Sequence, residues 1–134
     1  MLPTGKFFII QNNHGYLEGG PLHHMRPLDQ GTDVNPTYIR WSFTAYNKGH
    51  TIQCKVNGHY LDGGAKHMWR NSTGSHTKPD YLTWLFVPFQ GGYLIKNKAT
   101  GEYLTAAAAG TRHMRPKSEG VDSNPDQITW VLRE

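Results

Sequence analysis

The stretch Gly58-His59-Tyr60-Leu61-Asp62-Gly63-Gly64, followed by His67-Met68-Trp69, organises this chain because it recurs. A first copy reads Gly15-Tyr16-Leu17-Glu18-Gly19-Gly20 and then His24-Met25-Arg26. A third reads Gly101-Glu102-Tyr103-Leu104-Thr105-Ala106-Ala107 and then His113-Met114-Arg115. Tyr16, Tyr60 and Tyr103 stand 44 and then 43 residues apart. A period of that size marks a repeat architecture, in which one unit cannot bury its apolar face alone and several together can.

Working outward from the motif, each copy closes on a tryptophan inside an alternating run. The three runs are Ile39-Arg40-Trp41-Ser42-Phe43, Leu82-Thr83-Trp84-Leu85-Phe86 and Ile128-Thr129-Trp130-Val131-Leu132. Apolar residues at every second position fall on one face of a β-strand. Each copy also opens on a strand-like segment: Phe7 to Gln11, Thr51 to Val56, and Tyr93 to Asn97. Gly15, Gly58 and Gly101 mark the turns that follow, where a positive φ is expected. A third strand carries His-Met, and a loop rich in Asn, Asp, Ser, Pro and Gly leads to the tryptophan. No amphipathic helical window of useful length appears, and Ala106 to Ala109 is too short to stand alone.

At 134 residues the chain is read as one domain, 1–134, with repeats at approximately 5–46, 47–89 and 90–134. Three copies of four strands resemble the β-trefoil, an all-β fold with pseudo-threefold symmetry. In it six strands form a short barrel and six hairpin strands cap it. The expected core is Phe8, Ile10, Leu17, Met25, Trp41 and Phe43. Its counterparts are Ile52, Cys54, Leu61, Met68, Trp84 and Phe86, then Ile95, Leu104, Met114, Trp130 and Leu132. Cys54 stands in for Ile10 as a small buried hydrophobe, and a single cysteine allows no intrachain disulfide.

Alternation then assigns the exposed positions. With Leu17, Leu61 and Leu104 inward, Glu18, Asp62 and Thr105 turn outward, as do His24/Arg26, His67/Trp69 and His113/Arg115. Trp69 stands out, because nothing in the core pattern asks for it. A sugar would explain it. A carboxylate accepts charge-assisted hydrogen bonds from adjacent hydroxyls, and an aromatic or guanidinium plane covers the C–H face of a pyranose ring. Histidines fix further hydroxyls, and Gly-Gly lets the backbone approach closely.

These residues resemble the R-type (ricin-B-like) lectins, whose repeats carry an acid after the second strand and an aromatic residue on the third. The Tyr-Leu-x-Gly-Gly portion is similar to mussel β-trefoil lectins that bind galactose-type sugars. The resemblance implies a carbohydrate-binding protein for galactose or N-acetylgalactosamine, with no cofactor and no metal. Glu18 and Asp62 would be hydroxyl acceptors, Trp69 and Arg26 platforms, and His24 and His67 orienters. Gly19, Gly20, Gly63 and Gly64 would line the site, and Asp80 would complete it. There are departures. Arg26 and Arg115 replace the aromatic residue, the family's closing Gln-x-Trp has only an off-register echo in Gln127 to Trp130, with Tyr38 and Tyr81 where Gln127 stands, and Thr105-Ala106-Ala107 lacks the acid and the glycines. Repeats one and two should therefore hold the better sites.

Other classes are weaker. The third copy is similar to the Tyr-Leu-Thr-Ala pattern of fascin, and the eight histidines to those of hisactophilin, so an actin-binding trefoil is the alternative. The net charge of +4 is scattered, against nucleic-acid binding. No Gly-x-Ser-x-Gly, His-Glu-x-x-His or P-loop appears, and Glu18 and Asp62 fall in different repeats, against a glycosidase pair. No apolar run approaches the ~20 residues of a membrane span. The N-terminal residues lack the apolar core of a signal peptide, so a cytoplasmic protein, or one released by an unconventional route to act outside the cell, is expected. Partners would be the glycans of glycoproteins or glycolipids, and a homodimer would add valency.

Overall fold

The computed structural model describes residues 2, 6–12, 15–17, 25–26, 39–55, 58, 60–63, 69–71, 79–105, 114–115 and 128–133. At 15, 16, 25, 26, 62, 69–71, 114 and 115 it describes the backbone. Repeat one contributes β1 (Phe8–Asn12), β2 (Gly15–Leu17), β3 (Met25–Arg26) and β4 (Arg40–Tyr46). Repeat two contributes β5 (Gly49–Cys54), β6 (Tyr60–Asp62), β7 (Trp69–Asn71), one helical turn α1 (Pro79–Leu82) and β8 (Trp84–Phe89). Repeat three contributes β9 (Gly92–Asn97), β10 (Tyr103–Leu104), β11 (Met114–Arg115) and β12 (Val131–Arg133).

The ladders close on themselves. All pairings are antiparallel and run β1-β4-β5-β8-β9, with β12 on β1. The remaining seam is closed by Tyr93 and Trp130, which exchange two backbone hydrogen bonds of 2.8 Å. Six strands thus form a barrel, and closure leaves its strands without a free edge. The hairpins β2–β3, β6–β7 and β10–β11 hang from β1, β5 and β9. This is the β-trefoil. Two barrel hairpins turn in two residues, Asn47-Lys48 and Gln90-Gly91, all four with positive φ, which matches the twist of the flanking strands.

The threefold pattern is carried by hydrogen bonds as well as packing. Trp41, Trp84 and Trp130 are buried, and each donates its indole Nε1–H to the carbonyl of the Leu in its own repeat's Tyr-Leu pair. The distances are 3.0 Å to Leu17, 3.1 Å to Leu61 and 3.1 Å to Leu104. Motif and closing strand are therefore tied in every copy. Ile39, Leu82 and Ile128, two residues before each tryptophan, are also buried. Ile10, Ile52, Ile95 and Phe43 complete the core, with Phe86, Tyr93 and Leu132 packed against it at partial exposure. Leu2 joins the same cluster from outside the repeat pattern. Of the three core methionines expected, Met68 lies outside the described residues, while Met25 and Met114 sit in β3 and β11.

Register corrects two equivalences. Phe8, His50 and Tyr93 oppose the three tryptophans, so Ile10 matches Ile52 and Ile95, and Cys54 matches Asn12 and Asn97. The turn between β1 and β2 is two residues shorter than its counterparts, and spacing from the tyrosine therefore misaligned the first copy. Cys54 is buried as expected, but it replaces asparagine rather than isoleucine. Thr105 is the second correction. It is 1% exposed, although alternation places it outward. β10 ends at Leu104, so Thr105 follows the strand and the period-two rule no longer applies to it.

Candidate functional site

The second copy of the motif places the candidate site residues Asp62 and Trp69 on the hairpin β6–β7. Its register pairs Tyr60 with Asn71, Leu61 with Arg70, and Asp62 with Trp69. Leu61 is buried beneath Trp84, so the neighbouring position, Asp62, belongs to the other face of the strand. Positions directly opposed on an antiparallel ladder share a face, with Cβ atoms roughly 4.5–5.5 Å apart. Asp62 and Trp69 are such a pair. In repeats one and three the strand is set two residues differently: Arg26 opposes Tyr16 and Arg115 opposes Tyr103. Trp69 is thus not the positional counterpart of Arg26 that their shared place after His-Met implied. It stands two positions nearer the hairpin's tip, at the acid.

Gly63, which follows Asp62, is buried and donates its N–H to the carbonyl of Tyr81 at 2.9 Å. A Cβ here would meet the side-chain amide of Asn97, with Cγ only 2.7 Å away. That close approach is why the position is glycine. Asn97 is itself fully buried and donates its Nδ2–H to the same Tyr81 carbonyl at 3.0 Å. Its Oδ1 accepts from the backbone N–H groups of Ala99 at 3.1 Å and Thr100 at 3.2 Å, capping the turn between β9 and β10. The strand end that follows Asp62 is thus held by residues of two repeats.

Asp80 lies on α1, next to Tyr81, and its side chain is exposed. Its Oδ1 accepts from Asn47 Nδ2 at 2.7 Å and lies 3.8 Å from Lys98 Nζ, which donates to the Asn47 carbonyl at 2.7 Å. Thr83 adds a buried hydroxyl that donates to the Pro79 carbonyl at 2.8 Å and accepts from Asn47 Nδ2 at 3.1 Å. Asp80 therefore links α1 to the β4–β5 turn and the β9–β10 turn. Asn97, the Tyr81 carbonyl, Asn47 and Lys98 are residues that sequence reasoning missed. The asparagine four residues before the turn glycine Gly101 was the available signal for Asn97.

Of the other expected site residues, Glu18, Gly19, Gly20, His24, Gly64 and His67 lie outside the described residues. Arg26 is placed in β3 opposite Tyr16. Among the described residues no group of His, Cys, Asp and Glu could hold a metal ion. A cavity of about 360 Å³ opens elsewhere, lined by Leu2, Lys48, His50, Phe86, Pro88 and Tyr93 among others, and none of the expected site residues borders it.

The chain superposes on the Polyporus squamosus lectin bound to Neu5Acα2-6Galβ1-4GlcNAc with a TM-score of 0.74 at 15% identity, covering 98% of this chain and 50% of that one. It superposes on SeviL bound to asialo-GM1 saccharide at 0.68 and 17% identity, covering 96% and 97%. A third match is the GlcNAcα1-4Gal-releasing endo-β-galactosidase from Clostridium perfringens, at 0.73 and 14% identity, covering 96% of this chain and 32% of that one. The likeness is one of fold. The chain spans about half of the Polyporus lectin and a third of the galactosidase, and nearly all of SeviL. No family model matches the chain, and no curated protein matches it by sequence. Its neighbours thus include lectins, and a glycosidase of which it matches one part.

Proposed function

We propose that the protein is a carbohydrate-binding β-trefoil lectin that takes galactose- or N-acetylgalactosamine-containing glycans, with its principal site on the β6–β7 hairpin. The observation that carries the reading is the register of Asp62 opposite Trp69. A galactose ring offers a complementary surface to each of these groups. Its axial hydroxyl and a neighbour form a polar edge for a carboxylate, and the opposite C–H patch suits an indole face. The glycan bound by the Polyporus lectin and the one released by the Clostridium galactosidase both contain galactose, which supports the sugar class.

Glu18, Gly19, Gly20, His24 and Arg26 form the corresponding set in repeat one, and Gly64 and His67 complete the set in repeat two. Repeat three is left out. Its acid position is Thr105, buried, with an Oγ1 that has no hydrogen-bond partner among the described residues. The protein acts by binding and not by turnover. Two sites in one chain, or more in a homodimer, would supply the avidity that weak single sites need.

Glycan-array binding and calorimetry with lactose test this. Asp62→Ala and Trp69→Ala should each remove binding at the second site, and Asp62→Ala with Glu18→Ala should remove it from the protein, with the melting temperature unchanged. A double variant that binds glycans like the parent overturns the assignment. Sedimentation with actin filaments, in a protein that binds no glycan, would replace it with the cytoskeletal alternative.

A further inference from the structure

We infer that Asn97, a residue of repeat three, is a positioning residue for the second-repeat site, acting through the Tyr81 carbonyl on the strand end that bears Asp62. The inference rests on the sugar-binding reading of that site. The Tyr81 carbonyl receives two donors, Gly63 N–H at 2.9 Å and Asn97 Nδ2–H at 3.0 Å, which engage both of its lone pairs. The Asn97 side chain cannot drift. It is fully buried, its Oδ1 is held by Ala99 and Thr100, and its own backbone N–H and carbonyl bond Glu102 and Gly101, each at 2.9 Å. It also excludes any side chain at position 63. Asn97 therefore governs both where the chain runs after Asp62 and which residue can follow it.

That control has a functional consequence. Recognition of a pair of hydroxyls by one carboxylate tolerates displacements of only about 0.5 Å, so a strand end held at Gly63 is part of the site's affinity. The control is also local. Asn97 meets the second-repeat strand end, whereas the corresponding place in β5 is filled by Cys54, a thiol and a much weaker donor. The chain itself buries cysteine at this position, so Asn97→Cys is a substitution the fold has a precedent for.

The test separates the two sites. Glu18→Ala isolates the second site and Asp62→Ala the first, with lactose as the probe in calorimetry. Asn97→Cys should weaken lactose roughly tenfold in the Glu18→Ala background and leave it within about twofold in the Asp62→Ala background. Exchange of the Gly63 amide proton, followed by NMR, should accelerate roughly tenfold, while that of Gly58, which bonds the Cys54 carbonyl, should hold. Asn97→Asp is the second variant. It keeps the acceptor that caps the 98–101 turn and loses the donor to Tyr81, so it should reproduce the loss at the second site. Equal weakening at both sites, or unchanged Gly63 exchange, overturns the inference. If the parent binds no lactose, the sugar reading fails separately and Gly63 exchange alone decides what Asn97 does.

Discussion

His50 occupies the barrel position that Phe8 and Tyr93 hold in the other repeats, facing the edge of Phe86 with ring centroids 5.9 Å apart. Burial lowers its pKa below the ordinary value of 6.5, because the cation would lose water. The unfolded chain therefore takes up this proton at a higher pH than the folded one. Stability from this group is complete above pH 6.5 and is lost as pH falls from there toward the folded value. His50→Tyr, which copies repeat three, should flatten the fall in melting temperature between pH 7 and 5. An unchanged slope, measured by calorimetry beside the parent, would remove His50 from that role. At this scale the sequence was a partial guide. The buried state of Cys54 followed from its apolar neighbours, whereas the burial of Thr105 and Asn97 did not, because hydrogen bonding and strand termination override a hydropathy pattern.

The closing strands and the Tyr-Leu strands act as paired elements, each pair joined by one indole-to-carbonyl bond. Trp84→Phe keeps most of the apolar volume and leaves the Leu61 carbonyl without that donor. It should cost about 1–3 kcal/mol in urea unfolding, the usual range for stranding a buried polar group. A loss below about 0.5 kcal/mol would show that the packing of the ring, and not its N–H, explains why tryptophan recurs. Strand existence was legible from period-two runs at Trp41, Trp84 and Trp130. The pairing of Asp62 with Trp69 was not. Two hairpins carrying the same motif closed with registers two residues apart, and that register is set by strand pairing in the folded hairpin, which the motif's own spacing does not encode.

Across the whole molecule, the proposed sites lie one in each of the first two repeats, so valency becomes a property of the fold. Asp62→Ala alone should abolish agglutination of galactose-bearing cells or beads while lactose still titrates into the first site, because avidity of roughly 10²–10⁴ disappears when one of two sites is lost. Full agglutination by that variant would point to a homodimer supplying the second site. The amino-acid sequence alone determined the threefold repeat, the strand-rich fold and most of the core. These follow from periodic burial, a local property that a single strand already displays. Long-range contacts belong to the folded chain: closure through Tyr93 and Trp130, the Asn47–Asp80–Lys98 link, and the Asn97 hold on the Gly63 strand end. Each joins residues far apart in the chain, whose meeting depends on how the barrel closes and in which register. The motif at Gly58 to Trp69 therefore supplies the chemical groups of the proposed site, and a neighbouring repeat holds the strand end at Gly63 in place.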